Sequence, residues 1–309
     1  MTPTHKGSFR IFALAGISVY VHWSWFLVAI YSVQYRTHQY SAMTWNVVEY
    51  LSLFLIVLTH EFGHQLACRQ VGGKTHDIVL WPLGGVAYVS PPERPGAQLW
   101  SIAAGPLVNV VLLPVLFLLV WVGSRLGWPE AHSNAHELLQ NIFYINIALL
   151  IFNLMPVYPL DGGQILRSLL WFVVGRAKSL LTVSLIGFLG VAGLIGVAIW
   201  LESIWLGIMA VFLLLNCWRG LKQALTLARV ARLPRRAGFA CPSCETAPPL
   251  GGLWRCGNCG KTFDTFLTGA VCPHCAAQYS STQCLDCGVS RPRSEWMTSP
   301  PVIPDGPKN

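Results

Sequence analysis

The sequence predicts a mainly α-helical, polytopic membrane bundle of about six spans, with a small membrane-associated β-hairpin and a small cysteine-rich domain at the C-terminal end. Three observations lead there. Of the 309 residues, 53% are hydrophobic and only 11% charged, against roughly 25% charged in soluble domains. Six stretches, near 14–34, 47–68, 98–122, 137–155, 179–200 and 203–226, are apolar over the roughly 20 residues a spanning helix needs. Eight of the ten cysteines fall in C-x-x-C pairs beyond residue 240.

The elements follow in order. MTPTHKGSFRIFALAG has no small-residue cleavage site after a short apolar core, so the first span is expected to be retained. After the second span, Ile78 and Leu80, then Val86 and Tyr88, flank Pro82-Leu83-Gly84-Gly85. Alternation on both sides of turn formers predicts a hairpin over 78–89, on the membrane surface or dipping into it. Leu160–Lys178 is too interrupted for a span and reads as a short helix after a turn.

Lys6, Arg10, Arg69, Lys74, Arg94, Arg167, Arg176, Lys178, Arg229, Arg232, Arg235 and Arg236 fall on one side of this layout, and only Arg36 and Arg125 on the other. That bias places both termini in the cytoplasm. It also accounts for much of the net charge of +8 without a nucleic-acid partner. Residues 1–232 then form the membrane domain, 233–240 a basic linker and 241–290 the cysteine-rich domain. The Pro-rich 291–309 is expected to be a disordered tail.

LTHEFGHQLA, 58–67, puts His60, Glu61 and His64 inside the second span. An ionisable group at the bilayer centre costs roughly 2.5–3.5 kcal/mol on insertion scales, so these residues need a compensating partner. On a helix, i and i+4 share a face, and His60 and His64 can share one ion. H-E-x-x-H is the arrangement in which two imidazoles hold zinc and the glutamate is the general base toward water. The alternative is polar pairing between helices. A third ligand is expected from another buried polar group, and Asp161, before Gly162-Gly163 in IFNLMPVYPLDGGQIL, is the candidate; an N-cap is its alternative role. Asn109 is assigned as a donor to a tetrahedral oxyanion, with Asn153 as a second candidate; either could instead bond between helices. His22 reads as an interfacial histidine beside Trp23 and Trp25, with a zinc-proximal helper as its alternative role. Cys68 and Cys217 read as small core residues.

LTHEFGHQLA together with FNLMPVYPLDGG resembles the site-2 protease family of zinc intramembrane metalloproteases. Asn153, Pro156, Leu160, Asp161 and Gly162 fill that family's N-x-x-P-x-x-x-L-D-G element, and WPLGGVAYV and SIAAGPLVNVV are similar to two further family stretches. The resemblance covers about residues 8–230. It implies that His60, His64 and Asp161 bind a catalytic zinc and that Glu61 activates water to cut a peptide bond within the membrane. It also implies a substrate that is a membrane protein with a transmembrane helix, cut to release a cytoplasmic regulator.

CPSC, CGNC, CPHC and CLDC contribute Cys241, Cys244, Cys256, Cys259, Cys272, Cys275, Cys284 and Cys287. Paired knuckles of this kind make tetrahedral sites, and four pairs make two structural zinc sites. A reducing cytoplasm argues against disulfides. The segments resemble tandem zinc ribbons; spacing leaves open which knuckle joins which. Few basic residues lie between them, which argues against nucleic acid and for a protein partner. The resulting expectation is a multi-pass zinc endopeptidase in the lipid bilayer. Its rivals are a catalytically inactive scaffold that binds clients through its ribbons and, with less support because internal repeats are lacking, a transporter.

Overall fold

Ile17, Val19 and Val21 are buried while the residues between them are half-exposed. This period of two makes a strand out of an apolar stretch long enough to have been a span. A computed structural model describes residues 7–35, 40–81 and 84–298. In it the stretch expected as the first span is strand β2 (Ile17–His22), paired antiparallel with β1 (Ser8–Leu14), followed by helix α1 (Ser24–Tyr35). The 12 described residues of α1 are about 18 Å of helix, short of a hydrocarbon core of roughly 30 Å. The turn before β2 uses Ala15 and Gly16, both at positive φ.

The other five stretches are helices: α2 (Met43–Gln70), α3 (Pro95–Arg125), α5 (Ser133–Leu154), α7 (Arg176–Trp200) and α8 (Ile204–Ala231). All five are long and apolar enough to cross a membrane, and the chain is an integral membrane protein. A single turn, α4 (Trp128–Ala131), joins α3 to α5. The interrupted 160–178 segment gives α6 (Asp161–Val174), 14 residues long.

The expected hairpin is present as β3 (Lys74–Trp81) and β4 (Gly84–Ser90), antiparallel, with turn residues 82–83 outside the described part. It belongs to a larger sheet of order β1-β2-β3-β4, in which β2 and β3 run parallel across the α1–α2 crossover. Ile17, Val19, Val21, Ile78 and Leu80 from the sheet pack with Trp25, Val57 and Leu58. The sheet therefore lies against the half of α2 that carries the histidines.

The described residues fall into two compact units, one reaching Val174 and including Thr182–Gly220, the other comprising Gly175–Leu181 and the chain from Leu221. The second unit contains two small ribbons, β5 (Trp254–Arg255) with β6 (Thr262–Phe263), and β7 (Thr282–Gln283) with β8 (Ser290–Arg291). Trp254, Phe263, Phe266 and Trp296 form their core.

One boundary expectation changes here. Residues 291–298 are not the start of a disordered tail. Trp296 is 1% exposed, its ring centroid lies 5.1 Å from that of Phe266, and its carbonyl accepts from the Ala240 N–H at 2.8 Å. Proline-rich composition concealed a single aromatic that closes the core. Residues 299–309 lie outside the described part. In the basic linker 233–240, Arg235 makes a two-pronged pair with Asp286 (2.6 and 3.0 Å), and Arg236 reaches Asp264 at 2.6 Å. The Asp286 carboxylate holds the Arg235 guanidinium above its ordinary pKa.

Candidate metal centre

His60 and His64 lie one turn apart on α2, both buried, with Glu61 buried beside them. Asp161 opens α6. Gly162 and Gly163 make its approach possible, because a Cβ on either would overlap backbone atoms of the 154–158 segment. The three ligand atoms converge. His60 Nε2 is 3.1 Å from His64 Nε2 and 3.0 Å from Asp161 Oδ2, and His64 Nε2 is 3.5 Å from the same oxygen.

The far side of each ring decides what the near side can be. His60 Nδ1–H donates to Asn109 Oδ1 at 2.7 Å, and His64 Nδ1–H donates to the Ser101 carbonyl at 2.9 Å. With those protons on Nδ1, both Nε2 atoms present lone pairs to each other and to a carboxylate oxygen. Three acceptors this close in a buried site repel unless a cation lies among them. Tetrahedral zinc, with ligand bonds of about 2.0–2.1 Å, separates its ligand atoms by roughly 3.3 Å, which the observed spacings match. The donor set fits zinc.

Two glycines bring backbone up to this cluster. A Cβ on Gly105 of α3 would collide with His64 Nε2 and lie 2.8 Å from His60 Nε2. A Cβ on Gly85 of β4 would overlap the Glu61 carboxylate.

The model of peptidase family M50 matches residues 48–127 and 128–197, spans that hold His60, Glu61, His64 and Asp161. This chain belongs to peptidase family M50. A zinc metalloprotease of Methanocaldococcus jannaschii is 33% identical over 174 residues, 56% of this chain and 48% of its own. A second relative from that organism is 33% identical over 143 residues, 38% of this chain and 68% of its own. The solved site-2 protease of M. jannaschii superposes with a TM-score of 0.52 at 26% identity, covering 69% of this chain and 95% of that one. The chain spans 48% and 61% of two curated relatives that it matches over longer stretches.

Within this M50 framework, Asn109, expected as an oxyanion donor, contacts the back of His60. Its Oδ1 accepts from His60 Nδ1 and one N–H of its Nδ2 donates to Asn146 Oδ1 at 2.8 Å, which puts these contacts on the far side of the ring from His60 Nε2. Asn153 lies half-buried in the last turn of α5. His22 stacks on Trp81, with centroids 4.1 Å apart, and accepts from Ser24 at the start of α1. Cys68 and Cys217 are fully buried. Sequence reasoning overlooked Ser101, Gly85, Gly105 and Asn146; only Asn146 left a signal, as an amide inside the apolar run Phe143–Phe152.

The cysteines resolve the pairing that spacing left open. Cys241 and Cys244 join Cys284 and Cys287, while Cys256 and Cys259 join Cys272 and Cys275, so one cluster is nested inside the other. Sulfur pairs stand 3.5–3.8 Å apart, near the roughly 3.75 Å of a tetrahedral site with Zn–S bonds of about 2.3 Å and far from a bonded disulfide at about 2.05 Å.

The four knuckles are one repeated turn. In each, the first cysteine's N–H donates to the carbonyl five residues on, and its own carbonyl accepts from the N–H four residues on. The fourth residue on is Glu245, Gly260, Ala276 or Gly288, always at positive φ. At Cys256 the Cys259 N–H and the Tyr279 hydroxyl pull the thiol down to about 5, toward the thiolate that ligates metal.

Proposed function

We propose that this chain is an intramembrane zinc endopeptidase, cutting peptide bonds in transmembrane or membrane-proximal segments of membrane proteins. One observation carries the reading: two histidines and an aspartate converge beside a buried glutamate within a bundle of membrane-spanning helices. His60, His64 and Asp161 would hold the zinc. When bound, zinc polarises a carbonyl and lowers the pKa of water from about 15.7 to about 7.

The chain's own residues do the rest. Glu61 takes the proton from the attacking water and returns it to the leaving amine. Asn153 is a candidate for the oxyanion. Ser101 and Asn109 keep the two imidazoles aimed. A transmembrane helix hides its peptide bonds in its own hydrogen bonds, so the substrate must be extended to be cut. Among the described residues β4 pairs only with β3, and it crosses Glu61 at Gly85. Its other edge can take an extended segment as an added strand next to the base.

The Lys/Arg bias favours a cytoplasmic side for both termini and the ribbons. The two cysteine clusters would hold structural zinc, and the ribbon surface offers a site for a protein partner. Release of a cytoplasmic regulator is the biological outcome this topology suits. The test is Glu61→Gln in the full chain, assayed on a model transmembrane substrate. Cleavage should be abolished while zinc content stays at the wild-type value. If cleavage survives, Glu61 is not the base; if the wild type cuts nothing while holding clients, the scaffold reading replaces this one.

A further inference from the structure

We propose that Asn146 is a positioning residue for the metal centre, fixing which nitrogen of His60 faces the ligand cluster by locking the orientation of the Asn109 amide. The inference rests on the reading of His60, His64 and Asp161 as metal ligands. Asn146 is 0% exposed on α5, in the apolar run Phe143–Phe152. Its amide makes two bonds, both to Asn109: Asn109 Nδ2 donates to Asn146 Oδ1 at 2.8 Å, and Asn146 Nδ2 donates to the Asn109 carbonyl at 3.0 Å. A polar group is expensive in a membrane span, and packing alone would favour leucine.

The reason lies in the two unlike ends of an amide. As held, Asn109 presents Oδ1 to His60, so His60 Nδ1 carries the ring proton and Nε2 keeps its lone pair. Turned over, the same side chain would offer N–H to Nδ1. The proton would then have to sit on Nε2, and that nitrogen could not ligate. His60 cannot make this choice, because either arrangement gives it one hydrogen bond. Asn146 can. If the Asn109 amide turned, its Oδ1 would face Asn146 Oδ1, acceptor against acceptor, without water to relieve it.

Asn146 is in turn prevented from turning, because its Nδ2 is bonded to a backbone carbonyl, which can only accept. The polarity of His60 is thus set by a carbonyl on α3 read through two amides. His64 takes the same instruction directly, from the Ser101 carbonyl of the same helix.

The experiment is zinc affinity of the full chain by chelator competition, in wild type, His60→Ala, Asn146→Leu and the double variant Asn109→Asp/Asn146→Leu. The zinc held by wild type and missing from His60→Ala belongs to the membrane centre; the cysteine sites are common to all four proteins. If wild type and His60→Ala hold equal zinc, the metal reading fails and this proposal goes with it. Otherwise Asn146→Leu should weaken that one site roughly 10–100-fold, the usual effect of losing a supporting partner. Asn109→Asp should restore it, since both carboxylate oxygens accept from Nδ1 and no orientation is left to fix. Unchanged affinity in Asn146→Leu overturns the proposal. So does a loss that Asn109→Asp fails to relieve, which would leave Asn146 a packing residue. Should the leucine variant fail to fold, Asn146→Ala is read the same way against its own double variant.

Discussion

Gly105→Ala separates metal binding from the integrity of the helix that carries it. Gly105 is helical, without positive φ, so alanine suits the backbone and by propensity should favour the helix by about 1 kcal/mol. The added methyl has nowhere to go. It would collide with His64 Nε2 and lie 2.8 Å from His60 Nε2, in the space a shared ion must occupy. For a metal to remain, one or both rings must swing away, breaking the bonds to Asn109 (2.7 Å) and Ser101 (2.9 Å). At a net 0.5–1.5 kcal/mol each, losing both costs about 1–3 kcal/mol, or roughly five- to 150-fold in affinity before any loss of ligation itself. The assay is zinc per full chain after dialysis against a buffered chelator, with Gly193→Ala, whose Cβ would meet nothing within 4 Å, as control. Gly105→Ala should lose one zinc more than the control. Wild-type zinc content in Gly105→Ala would refute the convergence of the two Nε2 atoms on one ion.

Gly85→Ala should do the reverse: the methyl displaces the Glu61 carboxylate, so cleavage of a model transmembrane substrate should fall about 100-fold, the order expected for a catalytic group misplaced by about 1 Å, with zinc content unchanged. Trp296→Ala should destabilise the ribbon unit by about 3–5 kcal/mol, read as a lower denaturation midpoint from the tryptophan signal and from chelator sensitivity. Ala276→Gly and Glu245→Gly should each stabilise that unit, by at most about 1 kcal/mol. Relief of a left-handed penalty of about 1–2 kcal/mol is partly offset by the freedom glycine gives the unfolded chain; an unchanged midpoint would mean the knuckle turn tolerates these residues without strain.

The candidate metal centre was legible because its chemistry is local. His60 and His64 are fixed by one turn of helix, and Asp161 is flagged by glycines that let it approach. The strand at the start of the first apolar stretch is masked by that stretch's length. Ile17, Val19 and Val21 alternate, yet the apolar residues that follow them extend the run to the length of a helix. The contacts of Asn109 were hidden for another reason: an amide can donate or accept, and only its neighbours decide. Knuckle pairing depends on how the chain folds back, which C-x-x-C spacing does not encode. The repeat at Glu245, Gly260, Ala276 and Gly288 was visible only in part, since two of the four positions lack the glycine that would have marked the turn.

Nesting gives the two cysteine clusters an order of filling. Closing the inner site brings Cys259 to Cys272 across a short loop, whereas the outer site must bring Cys244 to Cys284 with the whole inner segment between them. Loop closure alone favours the inner site by roughly 1 kcal/mol, and filling it shortens the loop the outer site has to close. Loading should therefore be cooperative, and scarcity should be felt first at the outer cluster. That cluster contains Asp286 in its last knuckle, where the carboxylate grips Arg235 and the backbone carbonyl accepts from Arg176, the first residue of α7, at 2.8 Å. A shortage of zinc would loosen these arginine contacts before it disturbed the inner ribbon.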